Sequence, residues 1–223
     1  MPTELIQHHH HAHGPANRRR RVLPTAAPLF VRFPDGPPRA GVIVLHDVHG
    51  LTESAEERCR ALARLGYVAI APFLYYETGG KEFRPENAET ARAAMELLVA
   101  DDLAADITAA LAHLGERLGV PAASTAVLGV GMGGHLATWA ASEHELAAAV
   151  AHDPVGVQAA PWRGAPSVAE AIDRLRSPWL GLASPGASAP LLALASPDVV
   201  VPPHGPEYGW WDEAVRFLDA RLP

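Results

Sequence analysis

Residues 125–134 read TAVLGVGMGG, and the fold is decided there. The first six form a short apolar run bounded by turn signals, the pattern of a strand buried on both faces. A tight glycine turn follows, and from about residue 132 to 142 the spacing predicts a helix. A doubly buried strand that runs straight into a helix is the building unit of a parallel sheet covered on both sides.

The same grammar extends outward in both directions. Upstream, residues 29–33 alternate as an edge strand would, and Asp35-Gly36 turns the chain. Residues 41–46 (GVIVLH) and 67–72 (YVAIAP) are two further buried strands. Between them, residues 53–65 have helical spacing and end at Gly66, a C-cap glycine. A loop with two tyrosines and two glycines spans 73–87. A long helical stretch then covers 89–118, with a break expected near Asp101-Asp102. Downstream, strands are expected at 147–151, 179–183 and 199–201, and helices at 168–175 and 211–222. The expectation is an α/β fold: a mostly parallel central sheet with helices on both faces and right-handed crossovers.

Bulk properties narrow the classes of function. The 223 residues suit one α/β domain, and 48% hydrophobic residues are enough for a substantial core. Residues 25–223 are read as that domain. Residues 1–24, with His8–His11, His13 and Arg18–Arg21, read as a flexible His/Arg-rich tail. A single cysteine, Cys59, excludes an intrachain disulfide framework and fits a reducing compartment, so a cytoplasmic protein is expected. A net charge of −7 gives no footprint for nucleic acid, and no apolar run is long enough for a membrane span. The expected partner is a small molecule; oligomeric state is not legible.

Three segments in order resemble the dienelactone hydrolase family of α/β-hydrolases. Residues 41–51 (GVIVLHDVHGL) are similar to its VLHE-x-x-GL stretch. Residues 65–72 (LGYVAIAP), with Leu74-Tyr75, are similar to its LGYVALAPDLY. Residues 127–134 (VLGVGMGG) resemble its G-x-C-x-GG nucleophile turn, which in this fold sits on a strained strand-to-helix elbow. The resemblance, completed by His204, covers roughly 29–222 and implies the α/β-hydrolase fold.

It also implies a defect. The nucleophile's position is Gly131, and no Ser, Cys or Thr lies elsewhere in the turn. The loop 181–190 (GLASPGASAP) contains no carboxylate where the family has its triad aspartate; Ala187 stands at about that place. His204 remains at the family's histidine position. Asp47 replaces the family's glutamate, and the backbone N–H groups of Val48 and Met132 correspond to its oxyanion donors.

Around these, His46, His49, His135, His152 and Asp153 are expected near strand ends, where open α/β sheets place ligands. Tyr75, Tyr76 and Trp162 are expected on the pocket rim as an apolar wall. Neither a cofactor nor a metal is expected, since no HExxH or comparable spacing occurs. The functional expectation is a family relative without its elbow nucleophile. It binds a small apolar or lactone-like molecule and promotes cyclisation, isomerisation or elimination, with His204 and Asp47 moving protons. Two alternatives stand beside it: a non-catalytic binding relative, and a hydrolase using water activated by His204 and Asp47.

Overall fold

In the computed structural model, residues 27–78, 80–184, 193, 199–200 and 209–223 are described. Among the described residues, seven strands form one sheet in the order β1-β3-β2-β4-β5-β6-β7. They are β1 Leu29–Arg32, β2 Ala40–Leu45, β3 Tyr67–Pro72, β4 Thr125–Val130, β5 Ala148–His152, β6 Trp179–Leu182 and β7 Val199–Val200. Only β1, at the edge beside β3, runs antiparallel; every other pairing is parallel. The expectation of a mostly parallel α/β sheet holds.

The helices are α1 Glu53–Arg64, α2 Ala88–Glu96, α3 Ala100–Ala112, α4 Met132–Glu143, α5 Val168–Ile172 and α6 Gly209–Asp219. They divide between the two faces. Along β2, Ile43 and Leu45 point into a core shared with α3, α4 and Val168 of α5. Ala40, Val42 and Val44 point into a second core built on Leu62 and Cys59 of α1 and on Trp210, Ala214 and Leu218 of α6. Side-chain alternation along an extended chain produces this division, and every residue of β2 and β3 is buried.

Several strand and helix ends shift by one to three residues from the sequence reading, and two helical boundaries differ in kind. The long helical stretch breaks at 97–99, before Asp101-Asp102, and its last turn, His113–Arg117, widens to a π-helix. Val99 is extended (φ −110°, ψ 130°) and offers no side-chain cap to α3. The helix expected at 168–175 stops at Ile172, although its start carries a full capping box between Ser167 and Glu170. No described helix is long and apolar enough to cross a membrane.

Candidate functional site

β4 passes into α4 through one residue. Gly131 has φ +57° and ψ −112°, a conformation open to glycine and strained for any other residue. Its N–H donates to the His152 carbonyl (2.8 Å), and its carbonyl accepts from the N–H groups of His135 (3.2 Å) and Val155 (3.1 Å). A peptide's C=O and N–H share one plane and point in opposite directions. Fixing the Gly131 carbonyl therefore also fixes the direction of the Met132 N–H.

The neighbouring glycines are required by close approach. A Cβ at Gly129 would lie 1.8 Å from the Gly133 carbonyl oxygen. One at Gly133 would lie 2.0 Å from that of Leu45, and one at Gly134 2.9 Å from that of His152. At Gly131 the nearest described atom to such a Cβ is the Cβ of Asp47, at 3.4 Å, which is ordinary contact. Among the described residues, backbone atoms crowd the turn at 129, 133 and 134 but not at its apex.

The loop after β2 meets this apex. The His46 ring is buried, and its Nε2 accepts from the Leu74 N–H (3.3 Å). Its proton therefore sits on Nδ1, which donates to the Asp47 carbonyl at 2.8 Å. Burial holds the His46 pKa below its ordinary value, so the ring stays neutral. The Gly50 N–H also donates to the Asp47 carbonyl (3.0 Å), so the Asp47–Val48 peptide, and with it the Val48 N–H, is held in one direction. The carboxylate Oδ1 of Asp47 accepts from the His49 N–H at 2.8 Å. Tyr75 donates its hydroxyl to the Val48 carbonyl (3.0 Å) and lies 3.4 Å from Met132 Sδ. Desolvation pushes the Tyr75 phenol well above its usual range.

At the end of β5, His152 stacks on Trp210, with centroids 4.3 Å apart and planes 9° from parallel. Arg58 lies 5.3 Å over the same indole. Burial lowers the His152 pKa, opposed by the adjacent Asp153 charge. Asp153 itself takes φ +44°. Its Oδ1 accepts from the Ser184 N–H at 2.7 Å, while its Oδ2 and the Ser184 hydroxyl each lie 3.4 Å from His152 Nε2. A carboxylate one residue beyond β5 thus reaches the start of the loop that has none of its own. Among the described residues, Nδ1 of His49 and Nδ1 of His152 are buried without a hydrogen-bond partner.

The structure gathers Gly131, Met132, Asp47, Val48 and Tyr75 at the apex, with His46 behind them and His49, His152 and Asp153 alongside. Three expectations change. His135 and Trp162 turn away into the core: His135 Nδ1 bonds the Val155 carbonyl (2.9 Å), and its ring meets Trp162 edge-on at 5.2 Å. The Trp162 Nε1–H donates to the Met95 carbonyl at 2.8 Å, so that indole packs and does not cap a rim. Tyr75 is buried between His46 and Phe83 and supports the loop from beneath, while Tyr76 beside it is half-buried. His204 and the tail 1–24 lie outside the described residues. Arg58, Trp210 and Ser184 join the site unannounced.

A separate groove of about 850 Å³ lies between α3, the end of α4 and α5, lined by Ile107, Trp139, His144 and Arg174 among others. It shares no residue with the elbow.

The sheet order and the strand-to-helix turn define an α/β-hydrolase fold. Solved structures agree. The chain resembles a Klebsiella pneumoniae structure described as "Putative Dienelactone Hydrolase" (TM-score 0.69, 24% identity, covering 86% of this chain and 91% of that one). It also resembles an α/β serine hydrolase homologue from Coxiella burnetii (TM-score 0.57, 14% identity, 87% and 89%). The profile of the dienelactone hydrolase family matches residues 28–177, and the chain belongs to that family. A Yersinia pestis protein described as "Putative carboxymethylenebutenolidase" is 32% identical over 127 residues. That match takes in 56% of this chain and 47% of the relative, so the chain aligns with about half of its length.

Proposed function

We propose that this chain is a dienelactone-hydrolase-family protein that has lost its elbow nucleophile. In this reading it binds a small apolar or lactone-like molecule beside Gly131. It then promotes chemistry that needs no acyl-enzyme, such as cyclisation, isomerisation or elimination. One observation carries the reading: Gly131 keeps the strained elbow conformation, with room for a Cβ, yet has no side chain to attack with.

Groups for proton transfer and for charge stabilisation support it. The Asp47 side chain borders the apex and accepts protons as a general base; His204, by family resemblance, is its partner. The Val48 and Met132 amides have directions fixed through the carbonyls of their own peptides, and they stabilise developing oxyanion charge. Losing a triad nucleophile costs on the order of 10⁶ in kcat, so ordinary esterase turnover is not part of this reading. A small-molecule partner, and a cytoplasmic setting for the buried Cys59 thiol, belong to the same proposal.

The test pairs intact-mass spectrometry with amide NMR. Activated esters and lactones are expected to leave the protein's mass unchanged while shifting the Val48 and Met132 amide resonances. An acyl adduct on the protein, or amides that ignore every lactone and ester offered, would refute the proposal.

A further inference from the structure

We infer that the vacant place beside Gly131 receives the primary hydroxyl or thiol of an acyl acceptor, so that an acyl group passes directly from donor to acceptor within one ternary complex. This rests on the reading that no residue of the elbow attacks.

The geometry names the acceptor's shape. Side chains at 129, 133 and 134 are excluded by backbone atoms at 1.8–2.9 Å, so no other part of the turn can open. Chain neighbours aside, a Cβ at 131 meets Asp47 Cβ at 3.4 Å and no other atom of the described residues within 4 Å. The missing atoms of a nucleophilic residue are a methylene and its hydroxyl or thiol, and a primary alcohol or thiol supplies the same pair. The turn has not relaxed around the loss. Gly131 is still held at φ +57° by hydrogen bonds to His152, His135 and Val155, so the direction of the missing side chain persists. The Asp47 carboxylate, anchored through Oδ1 to the His49 N–H, begins one bond beyond the contact atom; its Oδ2 has no hydrogen-bond partner among the described residues. In this inference that neighbouring carboxylate is the base for a hydroxyl placed beside Gly131.

The step balances without a cofactor. As the acceptor oxygen or sulfur bonds to the donor's carbonyl carbon, Asp47 takes the acceptor's proton. The carbonyl oxygen becomes an oxyanion facing the Val48 and Met132 amides. Collapse breaks the bond to the leaving alkoxide, which takes the proton back from Asp47. One ester is consumed and one ester or thioester is formed. Nothing is oxidised or reduced.

The test uses the full chain with p-nitrophenyl acetate as donor, and ethanol, 2-mercaptoethanol or tert-butanol as acceptor, with uncatalysed rates subtracted. Nitrophenol release is expected to rise saturably with ethanol or the thiol and not with tert-butanol. Ethyl acetate or the thioester should replace acetate as the main acyl product. Gly131→Ala, which fills the place, should lose the acceptor-dependent rate by about tenfold or more, as misplaced reactants do. Asp47→Asn leaves the elbow untouched and should lose about 100-fold, the scale of a general base, so a folding defect at 131 cannot hide the answer. Release that ignores ethanol, acetate as the main product, equal response to tert-butanol, or no release at all overturns the inference. Any of these without an acyl adduct leaves the proposed function standing; an adduct on the protein removes both.

Discussion

Gly131 and Gly133 are two positions apart and should lose very different amounts of stability on the same change. Gly131→Ala places a methyl in ordinary contact with Asp47 Cβ at a positive φ, at a cost of about 1–3 kcal/mol in strain. Gly133→Ala drives a Cβ to 2.0 Å from the Leu45 carbonyl oxygen, where two backbones must separate. A loss above about 4 kcal/mol, or failure to fold, is expected there. Urea unfolding of the two variants checks the contrast, and similar losses would show that the apex is not open. The buried histidines make a second prediction at this scale. Burial lowers the pKa of His46, His135 and His152 in the fold, whereas in the unfolded chain they titrate near 6.5. Below that pH the unfolded state binds protons that the folded state refuses. Their stabilising contribution is therefore complete above pH 6.5 and falls as pH drops, by up to about 1.4 kcal/mol per pH unit for each. Urea unfolding at pH 7.5 and pH 5.5 measures it, and His46→Asn should flatten the slope.

Among the elements, α1 latches the site loop. The buried Glu56 on α1 binds Lys81 Nζ at 2.5 Å and Arg60 at 2.9 Å. Lys81 belongs to a short segment laid along the loop: Leu51 N–H bonds the Lys81 carbonyl, and Phe83 N–H bonds that of His49. Lys81 is half exposed, so Glu56→Gln should cost only about 1 kcal/mol globally. The local effect is larger: the Leu51 and Phe83 amides should exchange hydrogen faster than those of β2, and equal protection in both proteins would refute the latch. Elements also differed in how legible they were. β3 and β4 stood out because each is a doubly buried run closed by a glycine, Gly66 before one and Gly131 after the other. The break between α2 and α3 was hidden because Leu97-Leu98-Val99 continues the apolar spacing and carries no turn residue. Only Val99 adopting an extended backbone reveals it. For the site, the elbow and the loop after β2 were readable as motifs. The directions of the His135 and Trp162 rings were not, because each is decided by a carbonyl from a distant segment, Val155 and Met95.

At the scale of the molecule, two cores share one sheet, and α6 joins the second of them to the site. The Tyr67 hydroxyl donates to Asp219, and the Arg39 Nε donates to the Pro223 carbonyl at 3.0 Å, so the chain's end is tied to the first residue of β3 and to the segment before β2. From that anchorage Trp210 covers His152. Trp210→Ala should cost about 3 kcal/mol in stability and, by wetting His152, raise its pKa toward the ordinary value. A carbon-detected NMR titration of the His152 ring reads the shift, and an unmoved midpoint would mean that α6 does not shield it.

The crowding at 129, 133 and 134, with slack at 131, has a consequence for descent. The architecture polices the shoulders of the bend and leaves its summit to drift. A lineage can give up its attacking group in a single codon change and keep every strand in place. In such a bend shape can outlive chemistry, and a later reoccupation of the summit need not reinvent the scaffold.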